Sequence, residues 1–151
     1  MSRVQGKSIV LAALLPALIV FITGCPSGPT SIVPFTGTAT QAAKDLDGTY
    51  KVTVQGDDQG VIGDKLTIVI SGGLFTKLGL RDMTPTAFSN NGSEFVWTSA
   101  AAVDYGGAQG TVVTTVTLDM NLQADKSMQG SIVLVGGGQT SPPITSTMVK
   151  Q

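Results

Sequence analysis

From Thr49 onward, apolar and polar side chains alternate in short runs separated by turn-forming residues, and this two-residue period predicts strands rather than helices. In Thr49–Gln55, Tyr50, Val52 and Val54 share one face, while Thr49, Lys51, Thr53 and Gln55 share the other. Gly56-Asp57-Asp58-Gln59-Gly60 has turn chemistry, Leu66, Ile68 and Ile70 define the next inward face, and Ser71-Gly72-Gly73 the next reversal, which predicts a hairpin. Leu74–Met83 continues with Leu74, Leu78 and Leu80 in register, and Pro85 marks a strand start or an edge. Asn90-Asn91-Gly92 predicts a type I′ hairpin turn between a strand near Phe88 and a second at Glu94–Ser99.

The longest alternation is Thr111–Leu122, with Val112, Val116, Leu118, Met120 and Leu122 facing one way and Thr111, Val113, Thr115, Thr117, Asp119 and Asn121 the other. Ala124-Asp125-Lys126 turns the chain into Gln129–Val135, where Ile132 and Leu134 point inward; Gly136–Pro143 reads as a loop and Ile144–Val149 as the last strand. Ala100–Gly110 has no clear period and is assigned to a loop with one helical turn. Residues 47–151 are thus expected to form an all-β domain, an antiparallel meander of about seven or eight strands that makes a small barrel or sandwich.

The N-terminal pattern is different. Arg3 and Lys7 precede an apolar run, Ile9–Ile22, interrupted by Pro16 and followed by Thr23, Gly24 and Cys25. This order is that of a secretory leader, and the run is shorter than the roughly 20 residues that span a bilayer. Ile22-Thr23-Gly24-Cys25 resembles the lipobox of bacterial lipoproteins, with Ile22 where Leu is commoner. The resemblance implies that residues 1–24 are a cleaved leader, that a diacylglycerol is attached to the Cys25 thiol and that the new amino group is acylated in turn. Two or more acyl chains hold a protein firmly to a membrane, whereas one does so only marginally. Pro26, in place of an aspartate after the cysteine, favours by the same resemblance the outer membrane over the inner where a cell has both.

Residues 25–46 are expected to be the lipidated cysteine and a flexible linker: Pro26–Lys44 contains three of the seven prolines with Ser, Thr and Gly between them. Within it, Ile32-Val33-Pro34-Phe35 is an apolar island that could instead dock on the domain as an edge strand.

Composition narrows the chemistry. The chain has 9 Lys plus Arg and 10 Asp plus Glu, and because Arg3 and Lys7 fall in the leader, the mature part is net acidic, which argues against a nucleic-acid partner. One cysteine and no histidine rule out an internal disulfide, a Ser-His-Asp or Cys-His catalytic arrangement and histidine-bound zinc. Glu94 is the only glutamate and most aspartates fall in turns, so a paired-carboxylate hydrolase is not expected. Asp57, Asp58 and Asp64, and the run Asp45-Leu46-Asp47-Gly48, lack the regular spacing of a calcium loop and read as turn aspartates; no metal or cofactor is expected. Trp97, with Phe95 on its face, suits a core anchor better than a stacking platform, and the paired glycines at 72–73, 106–107 and 136–138 suit turns better than phosphate loops.

Gly48-Thr49-Tyr50 resembles the Gly-x-Trp opening of lipocalin-like barrels, with Tyr50 where those have Trp and with Arg81 the only arginine outside the leader to compare with the one that covers that ring. The expected function is that of a membrane-anchored envelope lipoprotein with a non-enzymatic β-domain acting as a structural or protein-interaction module. The alternative, which the second resemblance implies, is a lipocalin-like carrier of a small apolar ligand.

Overall fold

The structure is a computed structural model and describes residues 31–56 and 66–151. Among the described residues it is an antiparallel β-sheet with almost no helix, as the alternation predicts. Its strands are β1 (Gly48–Val54), β2 (Thr67–Ser71), β3 (Leu74–Leu78), β4 (Arg81–Asp82), β5 (Thr84–Asn91), β6 (Glu94–Asp104), β7 (Thr111–Leu122), β8 (Met128–Gly136), β9 (Gln139–Thr140) and β10 (Ile144–Lys150). The count among the described residues exceeds expectation because β4 and β9 are only two residues long. One short helix, α1 (Gln41–Lys44), precedes β1.

The sheet is ordered β4-β3-β2-β1-β10-β8-β7-β6-β5, with β9 paired to β8. Nearly every neighbour in this path is a neighbour in sequence, and the two ends, β4 and β5, are separated only by Met83. The sheet therefore curls until its ends meet, while its ladder stays open. At the seam Met83 N–H donates to Thr76 O at 2.8 Å. Further along, side chains cross where the ladder does not: Trp97 Nε1–H donates to Gly73 O at 2.8 Å and the Ser99 hydroxyl to Phe75 O at 2.6 Å.

The inward faces pack into one core that includes Tyr50, Val52, Ile68, Ile70, Phe75, Trp97, Leu118 and Met148. β7 follows its predicted alternation, with Val112, Thr114, Val116, Leu118 and Met120 buried in turn. In β3 the expected register is shifted. An irregularity between Val69 and Ile70 sets Phe75 opposite Ile70 and Leu78 opposite Ile68, so Phe75 is the buried residue, Leu74 pairs with Ser71, and Leu80 is fully exposed in the β3–β4 turn.

Ala100–Asp104, expected as loop, are the last residues of β6 and pair in register with Thr111–Thr115 of β7. Only 107–109 form a 3-10 turn. The Asn-Gly turn is shifted by one residue: Asn91 pairs with Glu94, so Gly92 and Ser93 are the central residues. Gly92 has φ 59° and Ser93 is not among the residues with positive φ, which matches a type II′ turn and not type I′.

Residues 39–46, grouped with the linker in sequence, pack into the domain: Ala39, Ala43 and Leu46 are buried members of the core. Thr40 caps α1, its hydroxyl accepting from Ala43 N–H at 3.2 Å. The island at 32–35 forms no strand, but Phe35 N–H donates to Pro85 O at 2.8 Å, so this segment reaches the β5 side of the seam. No helix among the described residues is long and apolar enough to cross a membrane.

Candidate functional site

The two ends of the curled sheet are built differently. At one end lie α1, the β2–β3 turn at Gly72–Gly73, the β5–β6 turn at Gly92–Ser93 and the short β7–β8 connection. This end is closed by hydrogen bonds and large side chains. The Asp47 carboxylate accepts from Gly72 N–H at 2.8 Å and Gly73 N–H at 2.7 Å, and the Tyr50 hydroxyl donates to Leu46 O at 2.5 Å. Burial, with the Asp47 charge adding to it, pushes the Tyr50 phenol above its usual pKa. Gly73 has φ 77°, and a Cβ there would press on Ala39 and the α1 backbone, so glycine is what lets α1 lie on this turn.

The sequence-predicted candidates fall into place one by one. Trp97 is fully buried, stacked on Phe95 with centroids 5.4 Å apart, and tilted against Phe88 at 6.2 Å. A core anchor is what it is, and neither ring offers a face to a ligand from outside. Asp47 is engaged as a turn cap, and Asp45 accepts from the Gln41 amide at 2.8 Å. Glu94 sits at the start of β6 opposite Asn91 and Asn121. Among the described residues no group of three or more His, Cys, Asp or Glu is placed to hold a metal ion. Arg81 is exposed and its guanidinium donates to Ala102 O at 3.4 Å, away from Tyr50. Cys25, Asp57, Asp58 and Asp64 lie outside the described residues.

The opposite end carries the β3–β4 turn, the β6–β7 hairpin at 105–110, the connection from β8 to β10 and the end of β1. Here the inward side chains are smaller and more open. Val54, Leu66, Leu78 and Ile144 are partly buried against the core and form an apolar rim. At this end the cross-strand row Ala101–Thr114–Gly136 runs over β6, β7 and β8. Thr114 is 6% exposed, and its hydroxyl has no hydrogen-bond partner among the described residues. The Tyr105 hydroxyl, in the adjoining hairpin, is likewise buried without a partner. Sequence alternation puts Thr114 on the inward face of β7, but nothing in sequence says that its hydroxyl goes unpaired.

Compared with protein-family models, curated proteins and solved structures, the chain matches none. The site has to be judged on its own geometry: a barrel-like sheet closed at one end by α1, with an apolar rim and two unpaired hydroxyls at the other.

Proposed function

We propose that this chain is a lipid-anchored envelope protein whose β-domain is a non-enzymatic interaction module, held to the membrane through Cys25. The observation that carries the module reading is the filled interior. Trp97, Phe95, Phe75, Met120, Met128 and Met148 all point inward and pack against one another, so the α1 half of the sheet spends its inner face on folding. Contact with a partner then falls to the outer faces and the loop end. The anchor reading is supported by the order of basic residues, apolar run and Ile22-Thr23-Gly24-Cys25.

Two arms test it. An alkyne analogue of palmitate, fed to cells making the protein, is expected to label the wild type and not Cys25→Ser; equal labelling of both contradicts the anchor. A photo-crosslinking residue in place of Leu80, whose side chain is fully exposed, is expected to give a discrete protein adduct in the native envelope. Absence of any protein adduct from Leu80 and from the exposed Val135 and Val149 contradicts the interaction module.

A further inference from the structure

We infer that Asn91, at the tip of the β5–β6 hairpin, is a site of spontaneous covalent modification: attack by the Gly92 backbone nitrogen removes its side-chain amide and leaves isoaspartate or aspartate. The reaction is independent of any partner of the β-domain and of acylation at Cys25.

The chemistry balances with water as the only co-reactant. The Gly92 nitrogen gives up its proton and bonds to Asn91 Cγ, the Cγ–Nδ2 bond breaks, and the amide nitrogen leaves as ammonia with that proton. Water then opens the five-membered imide at either carbonyl. One opening gives aspartate; the other gives isoaspartate, in which the backbone runs through Cβ. Each product is a carboxylic acid about 1 Da heavier than the amide it replaces.

Such a step needs an unengaged side-chain amide, an unengaged nitrogen on the next residue, and no side chain on that residue to crowd the approach. The chain has three asparagines, Asn90, Asn91 and Asn121, and Asn91 alone among them precedes a glycine. Asn91 and Gly92 are both exposed. Neither the Asn91 side chain nor the Gly92 N–H has a hydrogen-bond partner among the described residues. The turn accounts for the free nitrogen: Asn91 pairs with Glu94, so Gly92, at the first central position, lies outside the ladder. The position of a Gly92 Cβ is open space, which leaves room for water to reach the imide.

The other candidates each lack a condition. The Asn90 amide donates to Gly92 O at 3.1 Å and Glu94 O at 2.9 Å, and its oxygen accepts from the Thr40 hydroxyl at 3.4 Å. Asn121 is followed by Leu122, whose side chain crowds the nitrogen. Asp47 precedes Gly48, but its carboxylate oxygens accept from Gly72 N–H and Gly73 N–H.

The change has a structural consequence, because Asn91 closes the hairpin. Isoaspartate adds one carbon to the backbone at the last pair before the turn, and either product sets a carboxylate across from Glu94, where like charges oppose pairing. β5 ends the sheet path and pairs with β6, so the strand that is loosened is the one at the open edge.

The test uses the full chain, kept folded and aged in mildly alkaline buffer. Isoaspartate is detected with an isoaspartyl methyltransferase and a labelled methyl donor, and the labelled peptides are mapped by mass. Label is expected first at residue 91, faster as the buffer is made more alkaline, because the nitrogen attacks as its anion. Asn91→Gln, whose longer side chain has to close a six-membered ring, is expected to lower the label about tenfold. Label that appears first at Asn90, Asn121 or Asp47, or that is unchanged in Asn91→Gln, overturns the inference. So does label at residue 91 that forms in urea but not in the folded chain, since the hairpin then protects the site.

Discussion

At the scale of single residues, a few side chains tie elements together that the ladder leaves apart. Trp97 is both the largest member of the core and the donor that bonds β6 to Gly73 of the β2–β3 turn. Trp97→Phe removes that donor and leaves part of its volume empty; a loss of about 2–3 kcal/mol is expected in urea unfolding, from the unpaired carbonyl and the cavity together. Tyr50 acts from the opposite wall, and its raised pKa sets a pH dependence with a definite sign. The folded state holds the phenol proton more tightly than the unfolded chain, so its contribution is complete below pH ~10 and declines as pH rises from there towards the folded pKa. Tyr50→Phe should flatten that alkaline decline in a thermal melt series. Asp125 has the opposite sign. Bonds from the Ser127 hydroxyl and N–H lower its pKa, so its contribution is present at neutral pH and disappears as pH falls through the ordinary carboxylate range.

At the scale of elements, α1 and the chain before it decide where the domain begins. A chain starting at residue 47 lacks Ala39, Ala43 and Leu46 and exposes the core surfaces they cover, whereas one starting at residue 31 keeps them. The shorter chain is expected to unfold at clearly lower denaturant, and Leu46→Ala alone to cost about 2–4 kcal/mol, checked by urea titration followed at Trp97. Strand alternation made most of the sheet legible in sequence: β1, β2, β7, β8 and β10 fall where the apolar period places them. The element that sequence missed, the end of β6, is Ala-Ala-Ala-Val-Asp, and alanine has little strand preference of its own. What makes it a strand is its neighbours: Ala100 lies between Thr84 and Thr115 and is buried there, where a small side chain fits. α1 was hidden for a related reason, because a four-residue helix has no period to detect and is held by packing and its Thr40 cap. In β3 the one-residue irregularity that brings Phe75 inward depends on pairing with β2, which local sequence does not encode.

At the scale of the whole molecule, the division of labour follows from which end is filled. The α1 end is bonded shut and packed with aromatic and methionine side chains; the loop end keeps an aliphatic rim and unpaired hydroxyls. That second end was not legible in sequence, since Thr114 reads simply as one more inward position and its lack of a partner is a property of three strands together. The resemblance of Gly48-Thr49-Tyr50 to lipocalin-like barrels finds Tyr50 at the bottom of the core, but its hydroxyl is engaged by Leu46 and the ring is not met by Arg81. The proposed location, by contrast, rests on local sequence alone. Arg3, Lys7, Ile9–Ile22 and Cys25 stand in the order that the proposal takes as a secretory leader and lipid-attachment site.

The proposed anchor at Cys25 sets where the domain works and gives the one thiol in the chain its use. The intact mass of the protein recovered from membranes tests this most directly. A chain that begins at Cys25 and carries the added mass of a diacylglycerol, with or without a further acyl group, is the predicted result. A chain that begins upstream of residue 25, or that begins there with an unmodified thiol, contradicts it.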